Sequence, residues 1–408
     1  MRKTMTAALS AITLVALGSP NLAANAAPAG SDSAGYIVVL KDSAAPGKVA
    51  EDHSRRYNAD VNHLYRAALK GYSAQMSPTA AAQIAEDSRV AFVQRDGVAH
   101  ASAQATPTGI DRANAEVSAT AMINGLDERV NVDVAVIDTG VDLDHTDLNV
   151  YTAGAKNCST GKSAEDGNGH GTHVAGTIGA LDNTAGVVGI APGARIWPVR
   201  VLNNQGSGTW SGIVCGIDYV TAHADEIEVA NMSLGGTGTD DRNCGNSNND
   251  SMHKAICGAV AAGVTFVVAA GNETDDSANH VPAAYDEVIT VSALADFNGL
   301  PGGGAAPTCR TDQDDTLADF SNYGADVDII APGVCINSTW KGGGYNTISG
   351  TSMASPHVAG GAALYAANNP AASPSQVKSA LQAAGTTDWN NGDDRDSTKE
   401  RLLEVGGF

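Results

Sequence analysis

Three short, glycine-framed stretches hold the side chains of this chain that could do chemistry. Asp138 closes the apolar run Val134-Ala135-Val136-Ile137 and is followed by Thr139-Gly140. His170 sits in Asp166-Gly167-Asn168-Gly169-His170-Gly171-Thr172-His173, and Ser352 in Gly350-Thr351-Ser352-Met353-Ala354-Ser355-Pro356. A serine hydroxyl attacks an amide only when a neighbouring base takes its proton; an imidazole can do this and then protonate the leaving amine. A carboxylate behind the imidazole fixes its tautomer and stabilises the imidazolium without itself taking the proton. Each residue alone has an ordinary reading: a turn-forming Asp, a helix-capping Ser, or, for His170 with His173, two zinc ligands at helical spacing. The zinc reading lacks the Glu that a zinc peptidase places between its histidines. Taken together, Asp, His and Ser are the parts of a nucleophilic triad.

Residues so far apart need a scaffold to converge. Short apolar strands are expected at 132–138, 196–202, 229–233, 265–270, 288–293 and 327–331, alternating with helices at about 170–180, 211–223, 251–262, 352–368 and 373–384. That pattern predicts an α/β domain whose mostly parallel sheet is covered by helices on both faces. Ligands of such sheets bind beyond the carboxyl ends of the strands, where Asp138 falls. Proline is tolerated only early in a helix, so the helix after Ser352 is expected to begin near Pro356. The Ser352 hydroxyl then lies at or just before a helix N-terminus, where free N–H groups favour a developing negative charge.

The chain has 408 residues, 43% of them apolar, and a formal charge of -21, which argues against nucleic acid or an anionic membrane as partner. Met1-Arg2-Lys3, an apolar stretch over 6–17 and the small-residue signal Ala24-Asn25-Ala26 read as a secretory leader over 1–26, so an exported, extracellular protein is expected. No later run is long and apolar enough to span a bilayer. Six cysteines in an exported chain fit three disulfides. Connectivity stays open among the possible pairings; the expected set is Cys158 with Cys215, Cys244 with Cys257, and Cys309 with Cys335, the last two because they close short loops.

Ahead of the triad-bearing region, residues 36–40, 69–76 and 90–94 read as strands and about 46–58 as a polar helix. A second helix is capped by Ser77 with Pro78 at its first position. The order suggests a small α+β, ferredoxin-like unit. A linker over 100–109, poor in large apolar residues, separates this unit from the larger α/β domain. The acidic stretch 388–396 reads as a solvated turn or a weak cation loop.

Asp138-Thr139-Gly140, His170-Gly171-Thr172-His173 and Gly350-Thr351-Ser352-Met353-Ala354, in that order, resemble the three motifs of the subtilisin family of serine peptidases, and the likeness runs from about Gly109 to Ala384. The resemblance implies a serine endopeptidase in which Asn272, in Ala269-Ala270-Gly271-Asn272, supplies an oxyanion donor beside the Ser352 N–H. It implies a polypeptide substrate laid as a strand between Gly206-Ser207-Gly208 and Ser233-Leu234-Gly235, with Trp210, Ile213 and Leu234 around an apolar subsite. The primary pocket would be bounded by Ala269, Ala270 and Gly271 and prefer large uncharged side chains, unless Glu273, Asp275 and Asp276 line it and favour Lys or Arg. Leu181-Asp182-Asn183-Thr184-Ala185-Gly186-Val187 resembles the family's calcium loop, with Asp147 and Asn183 offering side-chain oxygens and Leu181, Ala185 and Val187 carbonyls to a structural Ca2+. It also implies that residues 27–100 are an inhibitory propeptide, the chain's own partner in folding and inhibition, cut by the enzyme itself near His100–Ala101. The peptidase domain would then be 101–408, a monomer by default.

Overall fold

The computed structural model describes residues 33–96, 104–390, 392, 394–396 and 398–408. The leader over 1–26 and the expected cut at His100–Ala101 lie outside them. The chain divides into two compact units, Met1–Ala101 and Ser102–Phe408.

In the first unit, β1 (Ala34–Leu40), α1 (Pro46–Tyr57), β2 (Asp60–Tyr65), β3 (Gly71–Met76), α2 (Pro78–Ala85) and β4 (Val90–Arg95) follow in order. Their sheet runs β2-β3-β1-β4 with every neighbouring pair antiparallel. This is the ferredoxin-like arrangement, completed by a strand that the sequence does not announce. β2 carries Asp60, Asn62 and His63, is largely exposed, and has no apolar alternation to reveal it. The start of α2 follows local chemistry: Ser77 Oγ accepts from Ala80 N (3.1 Å) and Pro78 opens the helix. Val38, Leu40, Val49, Tyr72 and Ile84 form its core.

In the second unit, α3 (Thr108–Arg112), β5 (Asp133–Asp138), β6 (Lys156–Asn157), α4 (His170–Gly179), β7 (Arg195–Arg200), α5 (Trp210–Ala222), β8 (Val229–Met232) and β9 (Gly236–Thr237) come first. Then come α6 (Ser251–Ala261), β10 (Thr265–Ala269), β11 (His280–Val281), β12 (Ile289–Ala295), β13 (Thr316–Leu317), β14 (Ile329–Pro332), β15 (Ile336–Trp340) and β16 (Gly344–Ile348). The chain ends with α7 (Thr351–Asn368), α8 (Pro374–Ala384) and β17 (Arg401–Leu402). The main sheet runs β17-β14-β12-β10-β8-β5-β7-β6 with all of these neighbours parallel, and β13 pairs antiparallel with β12.

Strand alternation explains the two faces. Val134 and Val136 of β5 pack with Val174 and Ile178 of α4 and Val358 of α7. Ala135 and Ile137 point the other way, with Ile217 of α5 and Ile256 of α6. β5 is also where the strand order reverses, successive strands being added on one side toward β6 and on the other toward β14, so the carboxyl end of β5 opens onto a crevice. Three disulfides, Cys158–Cys215, Cys244–Cys257 and Cys309–Cys335, use all six cysteines.

The helix that carries Ser352 starts earlier than the proline rule predicts: it begins at Thr351, and Pro356 lies inside it. A proline there removes the N–H that would bond the carbonyl four residues back, that of Ser352. Ser233 Oγ replaces it, donating to the Ser352 carbonyl at 2.9 Å. The substitute belongs to a polar chain: Ser355 Oγ donates to Asn231 Oδ1 (2.7 Å), and Asn231 Nδ2 donates to Ser233 Oγ (2.9 Å).

Candidate active site

Asp138 is the last residue of β5, fully buried, and its Oδ1 lies 2.8 Å from His170 Nδ1. Thr139 N donates to the same oxygen at 2.7 Å. The approach depends on Gly171, where a Cβ would fall 2.0 Å from the Gly140 carbonyl oxygen and 3.1 Å from Asp138 Cβ. His170 opens α4, and the turn before it is built on Asp166, a residue that sequence reasoning missed. Asp166 Oδ1 accepts from Thr139 Oγ1, Asn168 N and Gly169 N, and Oδ2 from Thr172 N and Oγ1, all at 2.6–3.0 Å. Burial alone would push the His170 imidazole down; the charge of Asp138, its hydrogen bond and the charge of Asp166 outweigh this and raise its pKa. His173 faces elsewhere, with Nε2 2.9 Å from the Ile336 carbonyl oxygen, and burial holds its pKa at about 3. The two histidines therefore do not share a ligand point.

Ser352 is the second residue of α7, where the N–H has no acceptor within the helix. Thr351 N and Thr351 Oγ1 both donate to Asn272 Oδ1 (2.8 and 3.0 Å). With its oxygen engaged twice, the Asn272 amide has its nitrogen free to donate. A Cβ at Gly350 would sit 3.6 Å from Asn272 Oδ1, 3.7 Å from Ser352 N and 3.9 Å from Asn272 Nδ2, so the Asn272 amide lies near the Ser352 N–H. The loop bearing Asn272 is itself held by the buried Asn322, whose Nδ2 donates to the Ala270 carbonyl (2.9 Å) and whose Oδ1 accepts from Glu273 N (2.9 Å). Ser352 Oγ donates to the Ser233 carbonyl (3.3 Å) in this rotamer. Hydrogen bonds between a nucleophile and its base commonly tighten only with substrate bound.

Imidazole and hydroxyl open onto adjoining hollows. One, of about 780 Å³, is lined by His170, Gly206, Ser207, Gly208, Trp210 and Ile213. The other, of about 210 Å³, is lined by Ser352, Asn272, Ala269, Ala270, Gly271 and Glu273. Leu234 and Gly235 wall both. Of the three acids that raised a question about the primary pocket, Glu273 lines it and Asp275 and Asp276 do not. The Glu273 carboxylate is tied down, accepting from Asn272 N (2.8 Å) and Asn322 Nδ2 (3.0 Å).

Away from the cleft, the 181–187 loop folds back on Asp147. Asp147 is 3% exposed and accepts from Asn183 Nδ2 (2.7 Å), Val187 N (3.0 Å) and Tyr345 OH (3.2 Å). Gln104, which sequence reasoning also missed, donates Nε2 to the Leu181 and Val187 carbonyls (2.5 and 2.9 Å). Its Oε1 accepts from Asn183 N (3.2 Å). Ala185 N donates to Asn183 Oδ1 at 2.7 Å. Gly186 is required, since a Cβ would meet Asp147 Oδ2 and Tyr345 OH, each at 2.2 Å. This is an oxygen-rich cradle around one carboxylate that burial pushes up, and the donor set fits a hard cation.

A buried carboxylate behind an imidazole and a serine at a helix start, near the carboxyl edge of a parallel sheet, fit a serine peptidase. The pattern of the subtilase family matches residues 130–400, and that of the peptidase inhibitor I9 family matches residues 35–102. Subtilisin E of Bacillus subtilis (strain 168) is 35% identical over 384 residues, covering 93% of this chain and 92% of that protein. Subtilisin DY of Bacillus licheniformis is 40% identical over 287 residues, 70% of this chain and 93% of the relative. The extracellular serine proteinase of Thermus sp. (strain Rt41A) is 39% identical over 332 residues, 79% and 72%. The crystal structure of a cold-adapted subtilisin-like serine proteinase superposes with a TM-score of 0.53 at 34% identity, covering 73% of this chain and 97% of that one. The chain belongs to the subtilase family: it is a subtilisin-like serine endopeptidase that carries an inhibitor-type propeptide.

Proposed function

We propose that Ser352 is the nucleophile, His170 the general base and then acid, Asp138 the group that orients and stabilises the imidazolium, and Asn272 Nδ2 with Ser352 N the oxyanion donors. The observation that carries this reading is the clamp of Thr351 on Asn272 Oδ1, which leaves the amide nitrogen free and near the Ser352 N–H. Substrate lies extended between 206–208 and 233–235; the Ser352 alkoxide formed by proton transfer to His170 attacks the carbonyl, the amine leaves with that proton, and water hydrolyses the acyl-enzyme. A fluorophosphonate probe tests the assignment. It should label Ser352, weakly in His170→Ala and not in Ser352→Ala; labelling elsewhere, or none, removes the nucleophile.

The primary pocket takes large uncharged side chains, its walls being Ala269, Ala270 and Gly271. A second reading, acceptance of Lys or Arg, is favoured by Glu273 at its edge. Chromogenic peptides differing only in the residue before the cut separate the two. A structural Ca2+ held by Asp147, Asn183 and the carbonyls of Leu181, Ala185 and Val187 would lock the 181–187 loop; it supplies no step of the reaction. We read 1–26 as a leader removed on export to the extracellular space, 27–100 as the inhibitory propeptide, and 101–408 as the mature peptidase, a monomer. The cut near His100–Ala101 is the enzyme's own, so a Ser352→Ala precursor should stay uncut.

A further inference from the structure

Four residues beyond the acidic stretch 388–396, read above as a solvated turn or a weak cation loop, Glu400 is 6% exposed and leads directly into the edge strand β17. One carboxylate oxygen from each of Asp394, Asp396 and Glu400 lies within 4.8 Å of the others. Asp394 Oδ2, Asp396 Oδ2 and Glu400 Oε2 are buried atoms with no hydrogen-bond partner among the described residues. The neighbouring cations are turned to other work. Arg395 Nη1 donates to the Thr274 carbonyl (3.3 Å) with its guanidinium 5.9 Å from the Tyr323 ring centre, and Lys399 Nζ is 5.4 Å from the Trp389 ring centre. Through their other oxygens Asp394 and Asp396 accept from Asp396 N (3.4 Å) and Thr398 N (2.7 Å); three converging, buried carboxylate oxygens with no partner among the described residues remain costly. Burial, with the charges of its two neighbours, pushes Glu400 up to about 8, and burial with Asp396 pushes Asp394 up to about 6.

We propose that Asp394, Asp396 and Glu400 form a divalent-cation site for calcium, separate from the loop around Asp147. Three carboxylates with neither nitrogen nor sulfur in the set favour a hard ion over zinc or copper, and a loop-borne set suits calcium's irregular coordination better than the strict octahedron of magnesium. The ion ties down the chain just before β17. Through Arg395 it also steadies Thr274, two residues beyond Asn272.

Trp389 provides the readout, since its Nε1 donates to the Glu400 carbonyl at 3.0 Å and so places an indole beside the site. The full chain carrying Ser352→Ala, which stops self-digestion, is stripped with chelator and titrated with terbium under excitation of tryptophan. Expected are saturable sensitised emission, displacement by calcium, loss of most of the signal in Trp389→Phe, and a fall of about tenfold or more in terbium affinity in Glu400→Gln. Asp147→Asn should leave the Trp389-dependent signal in place. Equal emission from wild type, Trp389→Phe and Glu400→Gln overturns the proposal, as does calcium content after dialysis that is unchanged in Glu400→Gln. Should Glu400→Gln fail to fold, judged by circular dichroism, Asp396→Asn decides by the same two measurements.

Discussion

Asn272 has one orientation open to it. Its oxygen is occupied by two donors from Thr351, so its nitrogen faces away as a donor, as the proposed oxyanion role requires. Loss of one oxyanion donor from a subtilisin costs about 2.7–4 kcal/mol of transition-state stabilisation. Asn272→Ala should therefore lower kcat by roughly 10²–10³ with KM little changed, measured on a chromogenic peptide. Under the proposed mechanism His170, as the base, sets the pH profile. A general base must be neutral to accept a proton, and the pKa of His170 is raised, so activity should fall on acidification at a pH above the ordinary imidazole value of about 6.5. Asp138→Asn removes the charge that outweighs burial; the acid limb should move down and kcat drop by roughly 10⁴, a pairing that loss of folding would not produce. Met353, next to the proposed nucleophile, is 1% exposed, so oxidation would put a polar sulfoxide into the core beside Ser352. Peroxide should inactivate the enzyme and spare Met353→Ala.

Secondary-structure elements differ in how much of themselves they write into the chain. Asp138, His170 and Ser352 are legible because each sits in a local frame: a strand end, a glycine turn, a helix start. Asn322 and Gln104 act only through partners brought close by folding; no spacing in the chain points from Asn322 to Ala270 or from Gln104 to Leu181 and Val187. Asp166 is different: most of its partners, Asn168, Gly169 and Thr172, are in its own turn, and an Asp opening a glycine turn is the signal that could have found it. The parallel strands are visible as apolar runs buried on both faces, whereas β2, polar and on an edge, leaves no pattern. The start of α7 escapes the rule for proline because that rule counts the lost hydrogen bond and cannot see that Ser233, on another element, replaces it. Ser233→Ala leaves the Ser352 carbonyl without that donor and should cost about 1–3 kcal/mol in thermal or urea unfolding, with kcat falling as the serine loses its anchor. Unchanged stability and rate would mean that water serves equally well there.

At the scale of the whole molecule, packing and three cross-links hold the fold, and the proposed cations would add to them. In the chain-entropy account, closing the 57-residue separation between Cys158 and Cys215 stabilises by about 4 kcal/mol and the 13-residue separation between Cys244 and Cys257 by about 3 kcal/mol. Paired Ser substitutions should lower the unfolding midpoint in that order. A cation at the Asp147 loop binds only the folded unit, so excess calcium should slow thermal inactivation of chelator-stripped enzyme, and Asp147→Asn should reduce the gain. All six cysteines fall in the Ser102–Phe408 unit. Where the protein is manufactured therefore decides what is obtained: a bacterial cytosol, which keeps thiols reduced, will deliver a floppy and self-destructive precursor, while a host that secretes into the medium, or refolding in a glutathione couple, will deliver the robust one.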